Sequence, residues 1–275
     1  MRRSKIIGLA AALVFAGAAV LAAPQRVVSL NVCTDQLALL LAAPGQLTSV
    51  SLLSRDPRTS AMVEAARALP TNSGKAEDIV LLDPDLVLAG TFTTRATVSM
   101  LERLGYRVEV FAPINSLNDA RANIARMGAL LGQENRAAEV LAQFDARLAA
   151  LTDAPSRRPR VALYYALGNT AGRQTLPGDI LFHAGMDNIA EARGLPFGGR
   201  LPLEELVLDD PDLILIGRPY GGHSRATELL DHPVLRDSGK LRRIEDGAAW
   251  VCELPQLLDA VAEMRAIRQD WEDRQ

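Results

Sequence analysis

Carboxylates that occur twice in matching surroundings are the residues of this chain best placed for chemistry. The segments EDIVLLDPDLVLAG, from Glu77, and EELVLDDPDLILIG, from Glu204, start 127 residues apart and agree at nine of fourteen positions. Each contains an Asp-Pro-Asp triplet that resembles an acid–base pair. Because proline forces a turn and aspartate is a good turn former, we interpret these aspartates as structural. Turn chemistry does not explain why both copies open with a glutamate.

No catalytic signature accompanies these carboxylates. The sequence lacks a G-x-S-x-G elbow, a phosphate-binding P-loop, an H-E-x-x-H zinc motif and a G-x-G-x-x-G turn, so we predict that the protein is not an enzyme. Its three histidines, His183, His223 and His232, all lie in the second half. A metal held between two halves would draw ligands from both, so no bare-metal site is predicted.

The N-terminus has the pattern of an export signal. Three basic residues within the first five precede an apolar run over 6–21, which ends in small residues before Pro24. This pattern predicts a signal peptide over residues 1–22, cleaved after Ala22, although the run is also near the length of a membrane anchor. Cleavage would change the net charge from −3 to −6. A mildly acidic chain with no basic stripe is not expected to bind nucleic acid.

The order of the predicted elements indicates two α/β lobes. Short apolar strands alternate with helices from residue 26 to about 111, and the alternation restarts at about 160. Uniformly apolar strands are typical of parallel sheets covered by helices on both faces. We predict a first lobe over 23–132, a connecting helix over 133–156 and a second lobe over 157–275. The last strand of the second lobe is expected at about 248–251.

The run RVVSLNVCTDQLALLLAAPGQLTSVS and the two copies of the repeat resemble the periplasmic substrate-binding proteins of ABC importers, in the group that binds vitamin B12, iron siderophores and haem. The resemblance covers nearly the whole mature chain. It implies an α/β fold of two lobes, each with a mostly parallel sheet flanked by helices, joined by a single long helix. It also implies that a ligand binds between the lobes of a periplasmic monomer.

The resemblance further implies a function for the repeated glutamates. In that family a glutamate on each lobe docks to arginines of the membrane permease, and these positions correspond to Glu77 and Glu204, with Glu205 as an alternative to Glu204. The implied partners are an ABC permease dimer with its ATPase subunits. The implied ligand is a ferric siderophore or cobalamin, with haem as the alternative, and no cofactor is expected to be bound permanently. An envelope sensory or structural module and an enzyme are the remaining, less favoured alternatives.

Candidate ligand-binding residues follow from the rule that doubly wound sheets bind ligands beyond the carboxyl ends of their strands. That rule selects loops at 31–35, 53–55, 91–95, 165–173, 197–200, 218–223 and 252–254. Arginine forks there suit carboxylate or catecholate groups, and aromatic faces suit a planar macrocycle. The predicted ligand-binding residues are Asn31, Cys33, Thr34, Arg55, Thr91, Arg95, Tyr165, Arg173, Phe197, Arg200, Arg218, Tyr220, Trp250 and Cys252.

The two cysteines of the mature chain, Cys33 and Cys252, both fall in these loops. They are either separate buried thiols, a disulfide that ties the lobes together, or a source of one ligand to a metal centre. Separate thiols are the commonest state of free cysteine, and this interpretation is favoured slightly.

Overall fold

The computed structural model describes residues 22–218 and 224–275. The predicted signal peptide therefore lies outside the described residues except for Ala22. Within these two ranges, no helix combines the length and the apolar character needed to cross a membrane.

The first lobe is built on a five-stranded parallel sheet with the order β3-β2-β1-β4-β5. Its strands are β1 (Val27–Ser29), β2 (Leu47–Ser51), β3 (Thr71–Asn72), β4 (Leu86–Gly90) and β5 (Val108–Phe111). Its helices are α1 (Val32–Leu41), α2 (Val63–Arg67), α3 (Ala76–Leu81) and α4 (Arg95–Arg103). All residues of β1 and β4 are buried, as expected of central strands covered on both faces.

The second lobe contains a four-stranded parallel sheet with the order β11-β10-β6-β8 and a small antiparallel pair, β7 and β9. Its strands are β6 (Arg160–Leu163), β7 (Asn169–Thr170), β8 (Asp187–Asn188), β9 (Gly199–Arg200), β10 (Leu213–Ile216) and β11 (Leu241–Arg243). Its helices are α7 (Leu176–His183), α8 (Ile189–Ala192), α9 (Leu203–Asp209), α10 (Pro233–Arg236) and α11 (Leu257–Glu272). The predicted fold class, two parallel α/β lobes, is confirmed.

One strand of the second lobe was assigned wrongly from the sequence. Residues Ala248–Trp250 form a single 3-10 turn, and the last strand is β11, Leu241–Arg243. Because β11 lies at the edge of the sheet and its residues are partly or fully exposed, its sequence is basic instead of apolar. The segment 248–253 is therefore free to form a loop toward the first lobe.

A helical hairpin joins the lobes. Helix α5 (Leu117–Leu131) ends at Gly132, whose φ of 66° is left-handed, and α6 (Glu134–Leu151) runs back alongside it. The N-terminal part of α5, with Leu117, packs into the core of the second lobe, whereas Met127 belongs to the core of the first. Helix α6 likewise spans both cores. Relative movement of the lobes must therefore disturb apolar packing along two helices.

The repeated segments occupy equivalent places in the two lobes. Each forms a short helix and the strand beside the first strand of its sheet, α3 with β4 and α9 with β10. The carboxylates of Asp85 and Asp212 accept hydrogen bonds from the backbone N–H groups of Arg26 and Arg160, at 2.9 and 2.8 Å. These aspartates therefore anchor each turn to the start of the first strand, in agreement with a structural interpretation.

Asp35 is a buried acid in α1. Its carboxylate accepts hydrogen bonds from the backbone N–H and the hydroxyl of Ser51, the latter at 2.5 Å. Burial nevertheless dominates over these bonds and raises the pKa of Asp35 from 3.8 to about 6. A raised pKa means that the protonated acid favours folding, and that this contribution is lost as the pH rises through 6.

We expect Asp35→Asn to become progressively more stable relative to the wild type between pH 4 and pH 7. The relative gain should reach about 3 kcal/mol, because each pKa unit corresponds to about 1.4 kcal/mol. Urea unfolding of both proteins across this pH range measures the difference. A stability difference that does not change between pH 4 and pH 7 would show that folding does not raise the pKa of Asp35.

Candidate ligand-binding cleft

A pocket of about 260 Å³ lies between the lobes, where the strand order of the first sheet reverses. Strands β1 and β4 are neighbours there, and the chain leaves them in different directions, which opens a crevice beyond their carboxyl ends. The pocket is lined by Asn31, Val32, Cys33, Gly90, Thr91, Phe92, Phe111, Ala112, Pro113, Ile114, Val251 and Glu253.

Asn31 is held rigidly at this crevice. Its side-chain oxygen caps α1 by accepting from the backbone N–H of Cys33 at 3.0 Å. Gly90 packs directly against it, and a Cβ at position 90 would approach the Asn31 amide carbon to 2.8 Å. The amide nitrogen of Asn31 is thus positioned as a donor. Thr34, by contrast, is buried and donates to the carbonyl of Asn31 at 3.0 Å.

Cys33 and Cys252 form a disulfide with a Cα–Cα distance of 5.0 Å. The preference for separate thiols was therefore wrong. The two cysteines can pair because the 248–253 loop extends from the second lobe to the N-terminus of α1. A disulfide sulfur is not a thiolate, so a metal-ligand role for either cysteine is not supported. The bond ties the lobes covalently at the edge of the pocket.

Glu253 contributes a buried carboxyl to the pocket, and the sequence did not single it out. It is 2% exposed, and its side-chain oxygen accepts from the amide of Asn123 at 3.2 Å. Burial raises the pKa of Glu253, with the hydrogen bonds opposing this in part. Such a carboxyl suits a neutral hydrogen-bond donor better than an anion. The sequence signal was its position beside Cys252, within the predicted 252–254 loop.

Exposed apolar side chains follow strands of both lobes, and one of them, Phe92, lines the pocket. Phe92 follows β4 and is 84% exposed, and Phe197 precedes β9 and is 72% exposed. Leu52 and Leu53 after β2, and Leu167 after β6, are more than half exposed. Large apolar side chains left in water at the carboxyl ends of both sheets indicate a bulky, partly apolar ligand. Only Phe197 was predicted, although Phe92 lies within the predicted 91–95 loop.

Two of the predicted arginines are occupied by carboxylates of the protein. Arg173 donates to the buried carboxylate of Asp179 at 2.6 Å and lies over the ring of Phe182. Arg218 forms an ion pair with Glu245. These contacts compete with any carboxylate of a ligand.

The other predicted arginines are on the surface. Arg55 donates to the carbonyl of Leu69 at 2.6 Å. Arg95, in the first turn of α4, and Arg200, on β9, are exposed. Thr91 is also exposed and borders the pocket.

The predicted aromatic residues differ in accessibility. Trp250 is buried in the core of the second lobe, and Tyr165 is half-buried against that core. Burial, and secondarily the charge of Asp246, raises the pKa of Tyr165, so its phenol stays neutral. Tyr220 lies outside the described residues. Within the described ranges, no cluster of three or more His, Cys, Asp or Glu side chains forms a metal site.

The repeated glutamates lie on the surface. Glu77 and Glu204 are exposed in the first turns of α3 and α9, and neither has a side-chain partner among the described residues. Glu205 instead pairs with Arg193, which also binds Asp209. The two adjacent glutamates of α9 are therefore different: Glu205 stabilises its own lobe, whereas Glu204 is available to a partner.

Two α/β lobes with a helical connection and a cleft between them are the architecture of the helix-linked class of solute-binding proteins. The model of the family described as periplasmic binding protein matches residues 27–238. The chain belongs to this family, which confirms the resemblance seen in the sequence.

Individual relatives support this assignment. A cobalamin-binding protein of Halobacterium salinarum is 32% identical over 199 residues, covering 70% of this chain and 54% of that protein. The chain thus matches only about half the length of this curated relative. A periplasmic haem-binding protein from Pseudomonas aeruginosa shares 25% identity and a TM-score of 0.68, covering 89% of this chain and 92% of that one. The vitamin B12-binding protein BtuF of Vibrio cholerae shares the fold, with 17% identity and a TM-score of 0.62, covering 90% and 98%.

Proposed function

We propose that this protein is the periplasmic receptor of an ABC importer and delivers a metal chelate to its permease. The observation that carries the proposal is the pocket between the two lobes, which Phe92 lines, together with exposed apolar side chains that follow strands of both lobes. The family assignment supports a binding function, and the predicted signal peptide supports export. Catalysis is not part of the proposal, because binding and release require no reacting group.

Within this class we propose a corrinoid, such as cobalamin, as the ligand. The rim of a corrin carries neutral carboxamides, which match the fixed amide of Asn31 and the buried carboxyl of Glu253. Its cobalt is already coordinated by the macrocycle and does not require a protein ligand. The 32% identity to a cobalamin-binding protein supports the same choice.

Haem is the second candidate, supported by the likeness to the haem-binding protein from Pseudomonas aeruginosa. Haem carries two carboxylates, so its binding would depend on cations at the mouth of the cleft. Arg95 and Arg200 are the exposed predicted arginines whose guanidinium groups have neither a carboxylate partner nor a hydrogen bond among the described residues, whereas Arg55 donates to the carbonyl of Leu69. A ferric siderophore would draw on the same two residues.

We expect cobalamin, and not haemin or a ferric hydroxamate, to raise the melting temperature of the mature protein. A ligand at 100 times its Kd stabilises the folded state by about 2.7 kcal/mol. Phe92→Ala and Phe197→Ala should each weaken binding by about tenfold or more, because Phe92 lines the pocket and Phe197 is an exposed aromatic residue of a predicted ligand loop. A thermal-shift assay measures the melting temperatures, and titration calorimetry measures the affinities of the wild type and the variants. Leu104→Ala, an exposed apolar change at the far end of α4, is the control.

If haemin alone stabilises the protein, the ligand is haem and not a corrinoid, and the proposed receptor function stands. If none of the three chelates stabilises the protein, the proposed ligand class is wrong.

A further inference from the structure

Each repeated glutamate is followed by an exposed leucine one helical turn later. Leu81 lies four residues after Glu77 and is 84% exposed, and Leu208 lies four residues after Glu204 and is 81% exposed. Residues four apart in a helix share a face, with Cβ atoms about 5–6 Å apart. Each lobe therefore presents a carboxylate and an apolar side chain side by side.

The rest of each helix shows that these leucines are not needed for the fold. Ile79 in α3 and Leu206 in α9 are fully buried and pack into the lobe cores, on the opposite side of the helix from Leu81 and Leu208. One exposed leucine on a protein surface has no special meaning. Two at equivalent positions of a repeat, both exposed by more than four-fifths, indicate a shared use.

The surface beside each helix is also apolar. A groove next to Leu81 is lined by Ala76, Glu77, Val80, Leu81, Met100 and Leu104. A groove next to α9 includes Val207, which is the counterpart of Val80 in the repeat and is 47% exposed. Glu77 thus borders its groove directly, whereas the groove beside α9 adjoins the helix at Leu206 and Val207 and does not include Glu204 or Leu208.

We propose that the receptor docks through two equivalent two-point contacts, Glu77 with Leu81 and Glu204 with Leu208. The inference rests on the proposed function and deepens it by naming the partner surface. In such a contact a cation of the partner would match each unpaired carboxylate, and an apolar recess beside that cation would bury each leucine. Because the same pair occurs once in each lobe, the partner must present this combination twice, as a two-fold symmetric permease does.

The two points of each contact have different physical roles. Exposed ion pairs are weakened by salt and contribute little affinity, but they orient an encounter. Burial of a leucine is insensitive to salt screening and supplies affinity, typically tenfold or more per side chain. The glutamate and leucine contributions to affinity should therefore be distinguishable by their dependence on ionic strength.

Membrane vesicles from cells that produce the importer provide the test, with retention of fluorescently labelled mature protein as the readout. We expect Leu81→Ala with Leu208→Ala to weaken retention by about 100-fold while leaving its dependence on salt unchanged. Glu77→Gln with Glu204→Gln should weaken retention and also remove most of the salt dependence. Val110→Thr, at an exposed apolar position of β5 outside both repeats, should behave as wild type.

Failure of this inference and failure of the proposed function give different results. If the glutamate variant loses retention and the leucine variant does not, the leucines are not part of the interface, and the receptor function stands. If the wild-type protein is not retained above the level of vesicles that lack the importer, both proposals are overturned. Circular dichroism of each variant establishes that the exposed substitutions leave the fold intact.

Discussion

Reversal of both repeated charges, Glu77→Arg with Glu204→Arg, is expected to lower ligand uptake by 100-fold or more. Each substitution places a cation where the partner is proposed to present one, and like charges facing each other across an interface cost several kcal/mol. Affinity of the purified protein for its ligand should stay within a few fold of wild type, because neither residue lines the described pocket. Uptake of cobalt-labelled cobalamin and titration calorimetry measure the two quantities.

A matched control separates docking from net charge. Glu139→Arg with Glu228→Arg makes the same total change in charge at exposed positions on α6 and on the 3-10 turn Glu228–Asp231. This variant should import normally. Loss of ligand affinity in the Glu77 and Glu204 variant would place these residues at the ligand instead of the permease, and normal uptake would show that neither glutamate docks.

Removal of the disulfide is expected to have the largest effect on stability. Cys33→Ser with Cys252→Ser opens a covalent loop with a sequence separation of 219 residues. Loss of such a constraint on the unfolded chain typically costs about 2–4 kcal/mol. For a chain of this size that corresponds to a fall in Tm of about 5–15 °C. The bond also joins the lobes at the pocket, so ligand should dissociate faster from the variant.

Reductant provides the internal control for this prediction. Dithiothreitol should lower the Tm of the wild-type protein toward that of the variant and should leave the variant unchanged. Stopped-flow measurement of ligand release tests the effect on the cleft. Equal Tm values for the oxidised wild type and the variant would show that the helical hairpin alone holds the lobes together.

Local sequence was sufficient for the elements whose signals lie within a few residues. The apolar strands β1, β4, β6 and β10 are buried on both faces, so their composition identifies them without knowledge of their neighbours. The repeat at 77 and 204 likewise revealed two equivalent units, because helix start, turn and strand are each specified locally. The edge strand β11 lacked such a signal and was missed.

Tertiary structure decided which of the predicted cleft residues meet. The sequence placed Cys33 and Cys252 in predicted ligand loops, but only the fold shows that they pair, because a loop from the second lobe reaches the start of α1. Glu253 is buried by the same approach.

The repeated glutamates show which features the sequence determines and which features only the tertiary structure determines. Sequence established where they occur, but it did not distinguish Glu204 from Glu205. The fold made that distinction by placing Arg193 against Glu205 and leaving Glu204 in solvent. Propensity and pattern act over a few neighbouring residues, whereas exposure and pairing depend on residues that only folding brings together.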